Sequence, residues 1–330
     1  LFRLLIMDDG VARIPEVLAD LRRSLHVDCL PYSPEALLDA IPAYDGLWGN
    51  FRMPVNADVL ARAPRLKLVA SATTGTDHVD KDELARRGIR LLCIRDDVGL
   101  LDTFSATAEL AWMLLLACAR HLRQGSRQAL AGGWNDPTPM GRQLGGLTLG
   151  VLGVGRLGRM TARYGQAFGM RVLGCDPRPF DAPGARPADF DTLLRESDAI
   201  SIHVHMDREN IDLIDAAAFG RMKPGAILVN TSRAALVNED ALLAALETGR
   251  LAAFGTDVIH GEWGLDASDN RLVRYAQTHE NVVITPHVGG ATDHTVDAAR
   301  RFMARKIMHW VATGEELAAP RGTDPGIAAP

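Results

Sequence analysis

Residues Gly150-Val-Leu-Gly153-Val-Gly155-Arg156-Leu157-Gly158 place three glycines in G-x-G-x-x-G spacing, and their surroundings make that spacing informative. Thr148 to Val154 reads as a short buried strand and Leu157 to Phe168 as a helix with apolar positions at helical spacing. Arg171-Val-Leu-Gly-Cys-Asp176 reads as the next strand, ending in an acid about 20 residues on, as a dinucleotide fingerprint requires. Each glycine has its own task. Gly153 permits the tight turn, Gly155 lets the backbone approach a pyrophosphate, and Gly158 lets helix and strand pack closely. The free N–H groups and positive dipole end of the helix then face the phosphates. Asp176 accepts hydrogen bonds from an adenosine ribose and repels an extra 2′-phosphate, which Arg178 partly offsets. The expected cofactor is NAD rather than NADP.

At 330 residues the chain is long enough for two domains. Short apolar runs at 2–7, 26–30, 45–48, 67–71 and 90–94 form one strand–helix series. Runs at 148–154, 171–175, 199–204, 226–230, 251–257 and 282–285 form a second. Strands alternating with helices imply parallel sheets joined by right-handed crossovers, an α/β fold. The fingerprint opens the second series, so a doubly wound dinucleotide-binding domain is expected at 101–287. Asp102 to Leu130 reads as strongly helical, an apolar element that crosses between domains and faces a second subunit. Thr292 to Val311 reads as a helix returning the chain to the first domain, which is therefore discontinuous (1–100 and 288–330).

The balance of 47% hydrophobic and 23% charged residues, with a net charge of −5 and mixed signs, is that of a globular protein. No basic tract interleaved with aromatics points to nucleic acid. The apolar run Leu110 to Ala119 falls short of the ~20 residues that span a bilayer, so no membrane is expected. Cys29, Cys93, Cys118 and Cys175 lie far apart with no C-x-x-C, which reads as reduced thiols in a cytoplasmic protein and offers no metal site. The first residues read as a strand and not a signal peptide, with the true start lost before Leu1, and the Pro/Gly/Ala-rich end after Glu316 reads as frayed.

Further motifs make the chain similar to the D-isomer-specific 2-hydroxyacid dehydrogenases over essentially its whole length. They are Met222-Lys-Pro-Gly-Ala-Ile-Leu-Val-Asn-Thr-Ser-Arg233, Gly255-Thr-Asp257-Val-Ile-His-Gly-Glu262, Thr285-Pro-His-Val-Gly-Gly-Ala-Thr292 and Thr74-Gly75-Thr-Asp-His-Val-Asp80. The resemblance implies two Rossmann-like domains, one binding NAD and the other a flavodoxin-like substrate domain. Catalysis would fall on Arg233, Glu262 and His287, interconverting a small 2-keto acid and its D-2-hydroxy acid in a cleft that closes on the ternary complex. Arg233 would fork two N–H groups to the substrate's carboxylate and C2 oxygen. His287 would exchange the proton, and Glu262 would orient the ring and favour its protonated form.

The same resemblance places cofactor contacts at Gly153, Gly155, Arg156, Leu157, Gly158, Asp176, Val204, Thr231, Arg233, Asp257 and the turn from His287 through Gly289 and Gly290. Substrate contacts fall at Asn50, Arg52, Thr74 and Gly75, with N–H groups around Thr74 and Gly75 holding the carboxylate. A homodimer is expected. Taken singly, each of these residues reads as ordinary loop or core chemistry, and His78 reads as a brace for a helix start. Ala234 stands where a glycine is usual, a costly exchange if that position requires positive φ. The segment Trp263 to Arg274 reads as a long polar loop. Two other readings are an NAD(H)-sensing corepressor-like binding protein and a dehydrogenase for a phosphorylated or phosphonate acid.

Overall fold

The computed structural model describes residues 1–50, 52–135, 140–262 and 266–317. The chain divides into two compact units: Leu1–Phe104 together with the chain from Ala291, and Ser105–Gly290.

The first unit holds strands β1 (Arg3–Met7), β2 (His26–Cys29), β3 (Gly46–Gly49), β4 (Leu68–Ser71) and β5 (Arg90–Leu92). They form one parallel sheet in the order β2-β1-β3-β4-β5, the flavodoxin-like order. Apolar side chains alternate between its two faces, so neither face meets water. Leu4, Ile6, Trp48, Leu68 and Ala70 pack on one side with Phe302, Met303 and Ile307 of the long helix Asp293–Thr313. Leu5, Met7, Leu47 and Val69 pack on the other with Leu37, Leu60 and Leu84. Thr292 caps the long helix through Thr295 N–H, and Gly314 ends it at φ 75°.

The second unit holds β6 (Thr148–Leu152), β7 (Arg171–Cys175), β8 (Ala185–Pro187), β9 (Ala199–Ile202), β10 (Ala226–Asn230), β11 (Leu251–Thr256) and β12 (Val282–Ile284). Their order is β12-β11-β10-β9-β6-β7-β8, again all parallel. The order reverses direction between β6 and β9, which makes the crevice beyond their carboxyl ends a ligand position. The sequence reading missed β8. Three residues ending in proline, on an edge and half exposed, carry no apolar run to signal a strand.

The expected helix over Asp102 to Leu130 is two helices, Ala106–Ala119 and Leu122–Leu130, with a short helix Val98–Leu101 just before the span. His121 takes the left-handed conformation, φ 50° and ψ 45°, and separates the two. Val98–Ala119 is a 22-residue stretch with an 18-residue window of mean hydropathy 1.4, enough by length and composition to cross a membrane and longer than the run read from sequence. Asp102–Ser105 divides it between two helices, however. In the longer one Ala111, Leu114, Leu115 and Cys118 pack against Val151, Val229 and Ala253 of the sheet. Its apolar character all round is that of a core helix.

Candidate active site

The turn after β6 is built so that backbone lies against backbone. Gly153 has φ +89°, and a Cβ there would sit 2.6 Å from the carbonyl oxygen of His203, at the end of β9. A Cβ on Gly158 would fall 2.0 Å from the carbonyl oxygen of Gly153. A Cβ on Gly155, in contrast, would meet nothing within 4 Å. That open side lies at the N-terminus of helix Arg156–Ala167, whose cap residue is Gly155 and supplies no side-chain acceptor. No cap side chain therefore takes the first-turn amides, the arrangement that suits an anion. Arg156 and Leu157 are half-buried in this turn.

Asp176 follows β7 with its side chain 8% exposed. Its carboxylate accepts from Val154 N–H at 2.9 Å and from Arg178 N–H at 2.9 Å. These bonds hold the acid beside the glycine turn. Open space at Gly155, uncapped amides and a fixed acid fit a dinucleotide.

His203 follows β9, with its carbonyl against Gly153 of the glycine turn. Its Nε2 pairs with Ser201 Oγ at 2.9 Å, while Nδ1 is buried with no hydrogen-bond partner among the described residues. Burial pushes this imidazole down to about 4. Val204 next to it is half-buried, as is Thr231, whose hydroxyl is likewise buried and unpartnered among the described residues.

Arg233 stands just beyond β10 in extended conformation. Asn230, 1% exposed, fixes the bend before it. Its amide donates to the Arg233 carbonyl at 2.9 Å and its oxygen accepts from Ser232 N–H at 3.0 Å. Ser232 Oγ donates to the Ile202 carbonyl at 3.0 Å, tying this loop to β9. Ala234 lies in a short 3-10 turn, Ala234–Leu236, and is not among the residues with positive φ. The feared backbone strain from replacing glycine is absent.

His287 takes φ 54°, a strained conformation for a residue with a Cβ. Asp257 holds it there. That carboxylate is 2% exposed and accepts from Thr285 Oγ1 at 2.6 Å, Val288 N–H at 2.9 Å and Gly289 N–H at 2.7 Å. Two bonds on Oδ1 and one on Oδ2 leave Asp257 a single free acceptor position, so it is first a clamp for the histidine turn. Gly290 has open space where a Cβ would stand. Glu262 Oε2 lies 2.8 Å from His287 Nδ1, the two side chains being 14% and 30% exposed. A carboxylate only accepts, so Nδ1 carries the hydrogen of this pair.

Residues 112–289 match the family model for the NAD binding domain of D-isomer specific 2-hydroxyacid dehydrogenases. A glyoxylate reductase of Thermococcus litoralis is 35% identical, over 84% of this chain and 84% of its own. The chain belongs to the D-isomer specific 2-hydroxyacid dehydrogenase family. A hydroxypyruvate reductase of Thermotoga maritima is 33% identical, over 85% of this chain and 88% of its own. A D-lactate dehydrogenase from Aquifex aeolicus, solved with NAD and lactic acid, superposes with TM-score 0.81 at 27% identity, covering 96% of this chain and 99% of that one. This dehydrogenase is an NAD-dependent oxidoreductase that moves a hydride between NAD(H) and a 2-keto or 2-hydroxy acid.

In the first unit of the dehydrogenase, Asn50 follows β3 and donates through Nδ2 to the Met7 carbonyl at 3.3 Å, while its Oδ1 accepts from Arg52 N–H at 2.9 Å. Arg52 is exposed, and its neighbour Phe51 lies outside the described residues. Thr74 is exposed and Gly75 half-buried in the loop after β4.

Two local readings need correction. The helix Lys81–Arg86 starts on Asp80, whose Oδ1 accepts from Glu83 N–H at 2.9 Å; His78 instead offers its carbonyl to Val55 N–H at 2.8 Å. The expected long loop after Glu262 ends early. Trp263–Leu265 lie outside the described residues, but Asn270 caps a helix, Arg271–Thr278, and binds the His260 carbonyl at 2.8 Å through Nδ2. The clamping roles of Asp257 and Asn230 were not legible, because each depends on which backbone groups the fold brings within reach.

Proposed function

We propose that this dehydrogenase reduces a small 2-keto acid to its D-2-hydroxy acid with Arg233, Glu262 and His287 as its chemical groups. The observation that carries the reading is the 2.8 Å pairing of Glu262 Oε2 with His287 Nδ1 on a turn held by Asp257. NADH, when bound, supplies the hydride to C2. His287 Nε2 delivers a proton to the C2 oxygen in that direction and accepts it in the reverse. Glu262 fixes ring orientation and tautomer. The Arg233 guanidinium forks to the carboxylate and the C2 oxygen, a planar task for which lysine lacks the geometry. In the first unit, Thr74 and Gly75 offer N–H groups to a substrate carboxylate, and Asn50 and Arg52 are further substrate contacts.

Toward the cofactor, Gly153, Gly155, Arg156, Leu157 and Gly158 hold the pyrophosphate and Asp176 the adenosine ribose. Val204, Thr231, Gly289, Gly290 and the remaining acceptor of Asp257 border the rest. Relatives named for glyoxylate and hydroxypyruvate reduction favour those two acids as substrates.

The setting is a cytoplasmic homodimer, supported by four free cysteines and by an apolar strip on the second unit. Leu122, Leu130 and Trp134 are 58%, 87% and 80% exposed there.

Glu262→Gln tests the dyad. An amide no longer fixes one tautomer, so kcat falls roughly 10²-fold while NADH affinity, read by fluorescence titration, stays unchanged. Full activity in that variant would remove Glu262 from the mechanism.

A further inference from the structure

Three successive peptide units in the loop after β4 have their carbonyls tied down. The Thr73 carbonyl accepts from Ile94 N–H at 3.2 Å. The Thr74 carbonyl accepts from Arg95 Nε at 3.1 Å, and the Gly75 carbonyl accepts from Thr73 Oγ1 at 2.6 Å. Thr73 Oγ1 is itself 2.8 Å from Ser71 Oγ. In a trans peptide the N–H points opposite to the C=O of the same unit. The N–H groups of Thr74, Gly75 and Thr76 accordingly face away from these clamps, and none of them donates to any described residue. Backbone donors left open in a folded loop are uncommon unless something else takes them.

The segment that brings Arg95 to this loop is anchored from the other side. Lys306 of the long helix, 1% exposed, pairs with Asp97 Oδ2 at 2.7 Å and donates to the Cys93 carbonyl at 2.8 Å. Asp97 N–H in turn donates to the Ile94 carbonyl at 3.2 Å. A buried ion pair does little for net stability, but it fixes one arrangement of the chain around it. Here it fixes the turn that carries Ile94 and Arg95.

We infer that Arg95, together with Thr73, is a positioning residue for substrate binding: it acts through the Thr74–Gly75 peptide to present a row of N–H donors to the substrate carboxylate. A guanidinium on a carbonyl polarises that peptide and strengthens the donor at its other end. The effect falls on holding the carboxylate, not on the hydride or proton transfer. This inference rests on the proposed role of Thr74 and Gly75 in binding a 2-keto acid.

The test is steady-state kinetics of Arg95→Ala, Arg95→Lys and Thr73→Val on whichever acid, glyoxylate or hydroxypyruvate, the wild-type enzyme reduces faster. Arg95→Ala should raise KM about tenfold with kcat within about twofold and NADH affinity unchanged, since one charge-assisted bond is lost. Arg95→Lys, which keeps a cationic donor, should recover most of the loss, and Thr73→Val should raise KM in the same way. Unchanged KM in Arg95→Ala, or equal losses in kcat, KM and NADH affinity, would overturn the inference. Failure of the wild-type enzyme to reduce either acid would instead count against the proposed function itself.

Discussion

Arg233→Ala is expected to lower kcat/KM on the order of 10³-fold and to leave NADH binding largely intact. In the role proposed for it, the guanidinium would contribute two charge-assisted hydrogen bonds to the substrate, each of about 1.5–3 kcal/mol, and no other cation lies in its loop. Asn230 and Ser232 hold the backbone at this point through their own bonds, so the bend survives loss of the side chain. Arg233→Lys should recover little, because an ammonium cannot fork to two oxygens in one plane. Stopped-flow or steady-state assays beside an NADH titration separate the two quantities. Near wild-type turnover in Arg233→Ala would remove this residue from the chemistry.

The second large effect belongs to the glycine turn, where two glycines fail for different reasons. A Cβ on Gly158 would lie 2.0 Å from the Gly153 carbonyl oxygen and 3.1 Å from its carbon. Both neighbours are backbone, so the helix must move off the strand, at a cost of about 1–3 kcal/mol or more. Gly158→Ala should lower Tm by about 5 °C and weaken NADH binding at least ~10-fold. A Cβ on Gly155 meets nothing. Gly155→Ala should therefore keep the wild-type Tm yet lose NADH affinity, since the methyl stands where the pyrophosphate approaches. Equal melting and equal NADH affinity in both variants would contradict the assigned phosphate position.

Much of this architecture was legible in the sequence because each central strand is buried on both faces. Val69 in β4 and Leu228 in β10 sit in uninterrupted apolar runs, which a parallel sheet covered by helices demands. The glycine spacing and Asp176 were equally legible, since the turn needs those residue types at fixed intervals. Features set by tertiary contact were not. β8 forms only because β7 offers it an edge, and His121 ends a helix from within a run of good helix formers. His287 keeps its positive φ only because Asp257, thirty positions earlier in the chain (~30), supplies three acceptor bonds to the turn around it. Arg95 showed no motif at all, and its place at the Thr74 carbonyl depends on a lysine in the last helix.

His203 adds a consequence for pH. Its imidazole is held down to about 4 by burial, against an ordinary value near 6.5. The neutral ring thus favours the folded state fully above pH 6.5, and that contribution is lost as the pH falls toward 4.

Reduction of a 2-keto acid with NADH is the activity proposed for Arg233 and His287. Its most direct test is the loss of NADH absorbance with glyoxylate, pyruvate, hydroxypyruvate, phenylpyruvate and 3-phosphohydroxypyruvate, repeated with NADPH. Turnover of at least one small keto acid is expected, faster with NADH than with NADPH, giving the D-hydroxy acid. NADH binding without turnover of any of the five would contradict it.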